Sequence, residues 1–387
     1  MTEAPPRVGP IGIIGDLADA DLVLAELLLR QEADVRVMRM RRGSEDALNH
    51  PFYTTLTSER IVHFDSRWAL LMALRSCRFV YSVTSSLFFD LRELGALYPA
   101  LRRLGWPPYM VVCSGSNITE RAVARSITGV AERASLRGAH CVAVNNYPAA
   151  IKNSVSLGLR NRVYVPFPYP VDCERTPAIE NRCGPLGLLR VFHPSHIDWG
   201  ESDSGREKTS GKGNDLFLRA FIRACKGGLK AHCVILDRGQ DAIHARRLIQ
   251  DSCAGEFFTW KPELTRTQFD QELFACDLVV DQFLLGAIGG VGFEAMARGK
   301  MVIGHIEPQC HHLIYDEALP IGTARTESEI ESRLWEFSDF EHLQRSSRAC
   351  HEWLRRHQDP HVLGLRYLSY ALSGMRSLGV GKSLFGN

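Results

Sequence analysis

Short runs of β-branched and apolar residues alternate along this chain with longer segments whose apolar positions return every three to four residues, and the alternation comes in two series. Such a pattern restricts the fold more than any other feature. Parallel strands need a crossover long enough to hold a helix, so each series implies βαβ units around a parallel sheet covered on both faces. In the first series strands are expected at 11–14, 34–38, 61–64, 79–83, 109–113, 141–144 and 162–165. The segment 17–30 places Leu17, Ala20, Leu24, Leu27 and Leu28 on one helical face. In the second, strands at 189–192, 233–236, 257–260, 278–281 and 301–304 alternate with helices at 216–224, 242–251, 266–275 and 293–298. The helix at 216–224 carries Asn214 or Asp215 as its cap and Gly227 as its stop. Between the series, 166–185 holds five prolines and no period, which marks a linker. The expected organisation is an N-terminal Rossmann-like domain over 1–170, a linker over 171–188, a C-terminal Rossmann-like domain over 189–350, and a helical tail over 351–387.

A length of 387 residues suits two domains, and 45% hydrophobic against 23% charged residues excludes a disordered chain. Lys and Arg number 46 against 44 Asp and Glu, a net charge of +2, so no broad positive field for coating nucleic acid is present. Eleven cysteines, an odd total with no CxxC pair, argue against a disulfide framework and a zinc ribbon. Free thiols within apolar runs fit a reducing cytosol. The start MTEAPPRVGP lacks the layout of a secretory signal, and no apolar run approaches the roughly 18 residues a membrane span needs. The expected location is therefore the cytoplasm. A basic cluster after the second strand, Arg36, Arg39, Arg41 and Arg42, reads either as solvated surface or as a contact for phosphate or anionic lipid at the inner membrane face.

The segment 281–304, DQFLLGAIGGVGFEAMARGKMVIG, follows a strand with a loop carrying Gly286, Gly289, Gly290 and Gly292, then a short helix expected to open at Phe293. Glycines let backbone approach a ligand, and the amides of a helix start attract phosphate. Glu294, placed in the first turn, either accepts from a ribose diol or offsets the helix dipole. A second strand-to-helix loop, 192–215, is dense in phosphate-type donors: His193, Ser195, His196, Arg206, Lys208 and Lys212. It is no P-loop, because five residues separate Gly205 from Gly211 and Gly213 follows Lys212. Gly12 to Asp16 lacks the GxGxxG fingerprint, which disfavours a dinucleotide dehydrogenase. The run SGSN, Ser114 to Asn117, follows another strand and is placed to line the same end of its sheet. His305, Glu307, Cys310, His311 and His312 have no compact metal-ligand spacing and read as a polar loop; no metal is expected.

These residues resemble the GT-B retaining glycosyltransferases of the family 4 type (glycosyl transferases group 1), most closely over 189–304. The family's Lys-Gly pair matches Lys212 and Gly213, and its Glu-Ala-Met-Ala-x-Gly-x-Pro-Val run matches EAMARGKMV from Glu294 to Val302. Gly289 falls on the glycine of the family's Phe-Gly pair. The resemblance implies two Rossmann-like domains facing across a cleft, with a nucleotide-sugar donor on the second and the acceptor on the first. The donor is a substrate, so no cofactor is implied. Lys212 and Glu294 take the main roles, on the diphosphate and the ribose. Ser195, His196, Arg206, Gly213, Trp260, Gly286, Gly289, Gly290 and Val291 are the other donor-side positions; Gly15, Asp16, Ser114, Gly115, Ser116 and Asn117 lie on the acceptor side. The implied activity is transfer to a hydroxyl of a glycan, lipid-linked or small-molecule acceptor, with retention and without metal.

The sequence departs from the family at chosen points. The glutamate that contacts the donor sugar falls on Gly286, with Asp281 or Gln282 nearby as substitutes, and Met301 stands where the family has proline. The acceptor-side His-Gly-Ser-Asp run is Ser114, Gly115, Ser116 and Asn117 here. A catalytically silent sugar-nucleotide or glycan binder, and a GT-B epimerase or phosphorylase, are the alternative readings.

Overall fold

The computed structural model describes residues 10–15, 20–40, 48, 50, 52–84, 87, 91, 93–113, 115, 117–171, 187–199 and 211–376, without the side chains of 93 and 117. Asp16, Ser114, Ser116 and Arg206 lie outside the described residues, as do Arg41, Arg42 and Lys208. The chain divides into two units, one of Met1–Pro170 with Gln358–Asn387 and one of Val171–His357.

In the first unit seven parallel strands, β1 (Ile11–Ile14), β2 (Val35–Arg39), β3 (Ile61–His63), β4 (Phe79–Val83), β5 (Tyr109–Val112), β6 (Cys141–Val144) and β7 (Arg162–Tyr164), form one sheet in the order β3-β2-β1-β4-β5-β6-β7. The expected strands are thus present, with ends shifted by a residue. The central strands are buried throughout because helices cover both faces. On one face lie α1 (Ala20–Leu29) and α13 (Pro360–Arg376), whose Leu24, Leu28, Tyr367 and Ala371 pack with Phe79 and Tyr81. On the other lie α2 (Arg67–Leu74), α3 (Glu93–Arg103), α4 (Ile127–Gly138) and α5 (Pro148–Ser156), which bury Leu70, Leu74, Tyr98, Leu136 and Ala150 against Val80, Tyr109 and Val142. All ten residues of α1 are buried, Asp21 and Glu26 included.

Those two carboxylates decide local structure. Glu26 accepts from Arg30 and from the amides of Thr54 and Leu56. Burial alone would raise its carboxyl, but these donors hold it below the usual range. Asp21 takes Arg39 as a two-pronged pair, Nε and Nη2 each 2.7 Å from a carboxylate oxygen, with both side chains buried. Arg39 therefore corrects the expectation of a basic surface cluster. Arg39 shares the face of β2 with Val35 and Val37, which pack beneath α1, and Asp21 neutralises it there.

The second unit carries β8 (Leu189–His193), β9 (Ala231–Leu236), β10 (Phe258–Lys261), β11 (Leu278–Val280), β12 (Met301–Gly304) and β13 (Gly322–Thr323), all parallel, in the order β10-β9-β8-β11-β12-β13. Only β13 was not expected, since two residues carry no period. Helices α6 (Asn214–Lys226), α7 (Ala242–Asp251), α8 (Arg266–Ala275), α9 (Gly290–Ala297), α10 (Pro308–His311), α11 (Glu327–Glu336) and α12 (Phe340–His357) complete the described part of the unit. Thr265 and Gln268 form a reciprocal capping box at the start of α8. Neither Asn214 nor Asp215 caps α6; the N-cap is Gly213, at a left-handed φ of 72°, and both expected caps lie inside the helix. Residue 351, the expected start of the tail, lies within α12, and the division between units falls after His357.

Candidate functional site

In each sheet the strand order reverses once, between β1 and β4 and between β8 and β11. Loops leaving two such neighbours diverge, and the crevice they open at the carboxyl ends of the strands is where open α/β sheets take ligands.

At the second crevice the sequence brings three loops together. Lys212 donates its amide to the Asp198 carbonyl at 2.9 Å, and its own carbonyl accepts from the Phe283 amide at 2.7 Å. The Lys212–Gly213 turn is thereby laid between the loops that follow β8 and β11. Asn214 secures it, accepting the Asp198 amide on Oδ1 at 2.8 Å and meeting His193 Nε2 through Nδ2 at 2.9 Å. His193 is fully buried and stacks on Phe217 with ring centroids 5.4 Å apart. Burial first, then the charges of Lys212 and Arg238, push its imidazole down to about 4. A neutral His193 accepts from Asn214 and is a brace rather than an acid.

Arg238, in the loop after β9, is the residue sequence reasoning missed. Its carbonyl accepts from the Ile197 amide at 2.9 Å, and its guanidinium reaches the Pro194 carbonyl at 3.1 Å from Nε and 2.5 Å from Nη2. The signal was the basic residue in LDRGQD directly behind a strand. Ser195 is buried and His196 exposed. Desolvation, then Arg238 and Lys212, disfavour protonation of the His196 imidazole. Lys212 itself is half-buried; burial lowers its ammonium below the usual value although Asp281 and Asp198 draw it the other way. A cation so placed is short of negative charge.

Asp281, 2% exposed, follows β11 and turns its carboxylate onto the start of α9: Oδ2 accepts from the Gly289 amide at 2.7 Å. Burial pushes this carboxyl up to about 6, against the Gly289 amide and Lys212. The contact depends on Gly292, where a Cβ would lie 2.7 Å from Oδ2. Gln282 closes the same loop by donating Nε2 to the Ala287 carbonyl at 2.5 Å. Gly286 has φ 71° and accepts from the Glu307 amide at 2.9 Å.

Helix α9 opens at Gly290, a turn earlier than Phe293, because extended Gly289 leads straight into it. Glycines score poorly in a helical pattern, which hid that turn. Gly289 gives its amide to Asp281 and Gly292 gives its own to the Gly289 carbonyl at 3.1 Å. The amides of Gly290 and Val291, first in the helix, have no partner within it. Glu294 consequently sits in the second turn, too deep to offset the dipole. It belongs to a charge cluster: Arg266 reaches Oε2 at 2.5 Å and Asp270 at 2.9 Å, and Arg298 reaches Asp270 at 2.5 Å and Glu294 Oε2 at 3.7 Å. Both guanidinium contacts of Glu294 use the one oxygen.

Trp260 lies in β10, with the Arg246 guanidinium 4.2 Å from its ring centroid, on the side of the sheet where Phe258 meets Phe221 of α6. His305 follows β12, and the run from Pro308 to His311 forms α10. Among the described residues no group of three or more His, Cys, Asp and Glu is placed to hold a metal ion.

At the crevice of the first unit, Gly15 follows β1 with φ 125°, and a Cβ there would overlap the Val83 carbonyl oxygen. Beside it Thr84, buried, has φ 68°, a backbone state that β-branched residues avoid and that no sequence pattern announces. Gly115 follows β5 with φ 140°, and Asn117 opens a single wide turn over Asn117–Arg121.

No protein-family model matches the chain, and no curated protein matches its sequence. Solved structures do match. A sucrose-phosphate synthase from Thermosynechococcus elongatus superposes with a TM-score of 0.62 at 12% identity, over 95% of this chain and 99% of that one. A UDP-forming α,α-trehalose-phosphate synthase from Burkholderia xenovorans gives 0.58 at 10% identity, over 96% and 99%. A putative UDP-N-acetylglucosamine 2-epimerase from Listeria monocytogenes gives 0.54 at 13% identity, over 94% and 95%. At such identities the likeness concerns the fold, which is GT-B.

Proposed function

We propose that this chain transfers a glycosyl group from a nucleotide sugar to a hydroxyl acceptor. One observation carries the reading: the Lys212–Gly213 turn is bonded to the loop after β11, beside the glycine-rich entry to α9, at the crevice between β8 and β11. A half-buried ammonium near two helix-start amides that have no partner within the helix suits a diphosphate, and the charge on that group grows as the glycosidic bond breaks. In this reading Lys212 and the amides of Gly290 and Val291 stabilise the leaving diphosphate, and Arg238 supplies a second cation. Glu294 holds the ribose through Oε1, while Arg266 on Oε2 keeps the carboxylate aimed. Ser195, His196, Gly213, Gly286 and Gly289 line the donor side, whereas Trp260, in edge strand β10, stands two strands from the crevice; the loops at Gly15, Thr84 and Gly115 receive the acceptor. Its hydroxyl oxygen bonds to the anomeric carbon on the face the diphosphate leaves, giving retention, and its proton passes to the leaving group. The lysine and amides supply the electrostatic stabilisation that a metal ion gives in other transferases, so the reaction needs none.

Titration calorimetry with a panel of nucleoside diphosphates, with and without magnesium, tests this. One base should bind without magnesium, and Lys212→Ala should weaken it at least about tenfold, the loss of one charge-assisted contact. Unchanged affinity in that variant removes the assignment. A second reading, a sugar-nucleotide epimerase, is supported by the Listeria neighbour and by Gly286, which offers no carboxylate to a donor sugar. Product analysis without any acceptor separates the two.

A further inference from the structure

Helices α2, α3 and α4 lie in succession on the face of the first sheet opposite α1 and α13. Their inner residues form the core, and their outer residues break the usual rule for a solvated helix. Trp68 (61% exposed) and Met72 on α2, Leu97 on α3, and Ile127 (90% exposed) and Val130 on α4 hold large apolar side chains in water. Single exposed apolar residues are ordinary, but five on consecutive helices of one face need a reason.

Charge on these helices and the segments that flank them is equally one-sided. Over 65–78, 93–105 and 120–138 the chain carries nine arginines, no lysine and four carboxylates, and one of those, Glu132, is buried. Arg75, Arg103, Arg125 and Arg137 are exposed. Elsewhere the two signs nearly cancel, since the whole chain is only +2. Helices in βαβ units run antiparallel to their strands, so Trp68 and Ile127, near the starts of α2 and α4, sit toward the carboxyl edge of the sheet, where Gly15 and Gly115 lie.

We infer that this face docks on an anionic lipid bilayer, with the apolar side chains entering the headgroup region and the arginines meeting lipid phosphates. Exposed apolar side chains and arginines on the same helices are the composition of interfacial helices. A second copy of the chain is the poorer occupant, because a two-fold interface would set these arginines against themselves. The site replaces the Arg36–Arg42 cluster, whose Arg39 is committed to Asp21. It needs no spanning segment, and no described helix is long and apolar enough to cross a membrane. The docking stands independently of any sugar transfer.

Cosedimentation of the full chain with vesicles tests it. The protein should pellet with equimolar phosphatidylcholine and phosphatidylglycerol and stay in solution with phosphatidylcholine alone. Arg103→Ser with Arg125→Ser should weaken partitioning about 25-fold, at roughly fivefold for each cation removed. Trp68→Ser with Ile127→Ser should weaken it at least about tenfold at an unchanged melting temperature. Failure to pellet with the anionic vesicles, or pelleting unaltered in both double variants, overturns the inference. So does a doubled mass in lipid-free solution that Trp68→Ser with Ile127→Ser reverts, which would give the face to a second copy.

Discussion

Asp281 is a carboxylate the protein keeps at a cost, and Asp281→Asn measures that cost. Burial moves this carboxyl from 3.8 to about 6 in the folded chain. The folded state therefore holds the proton more tightly than the unfolded one. Between about pH 4 and pH 6 it binds more protons, so stability falls as pH rises through that window and levels off above it. At 1.36 kcal/mol per pKa unit the gap amounts to about 3 kcal/mol above pH 6. Asn keeps an oxygen to accept from the Gly289 amide and has no charge to bury. At pH 7.5 the variant should exceed the parent by up to about 3 kcal/mol, and near pH 4 the advantage should vanish. Urea unfolding followed by tryptophan fluorescence at both pH values reads the difference, with equal m-values required for the comparison. A difference that does not change with pH would refute the reasoning: Lys212 and the helix start would then compensate the charge fully.

Two further variants probe single contacts. Gly292→Ala brings a Cβ to 2.7 Å from Asp281 Oδ2, so it should destabilise by about 1 to 3 kcal/mol; coupling to Asp281→Ala in a double-mutant cycle checks the cause, and simple additivity would contradict it. Arg39→Met leaves the Asp21 carboxyl buried without its guanidinium and should cost about 3 to 5 kcal/mol in thermal or urea unfolding, partly recovered by adding Asp21→Leu.

Much of the architecture was readable because buried parallel strands are continuous apolar runs, as in IGII, FVYSV and CVAV. Pairing across distance was not. Arg39 looks like its neighbour Arg36 in sequence, and only Asp21, eighteen residues away in another element, makes it a core residue. The start of α9 was hidden by glycines, whose low helix propensity is overridden once Asp281 caps the turn they form. Lys212 and Glu294 were visible through the Lys-Gly and Glu-Ala-Met-Ala runs, but Arg238 belongs to no such run and enters the site through the fold. Thr84 left no trace in the sequence, because a strained backbone angle is imposed by surroundings and not by residue type.

The return of α13 to the first unit bears on how the protein is made. Tyr367 and Ala371 belong to the same core as Phe79 and Tyr81, and the Tyr367 hydroxyl donates to the Pro166 carbonyl at 2.8 Å. A ribosome delivers the seven strands of that sheet first and its covering helix last. At 5 to 20 residues per second, roughly 10 to 40 s separate Pro170 from Arg376. During that interval the nascent sheet presents an apolar face that α1 covers only in part, while the second unit, contiguous in the chain, is synthesised. The unit synthesised first is the one finished last, and chaperone dependence during translation should trace to Tyr81 and its neighbours.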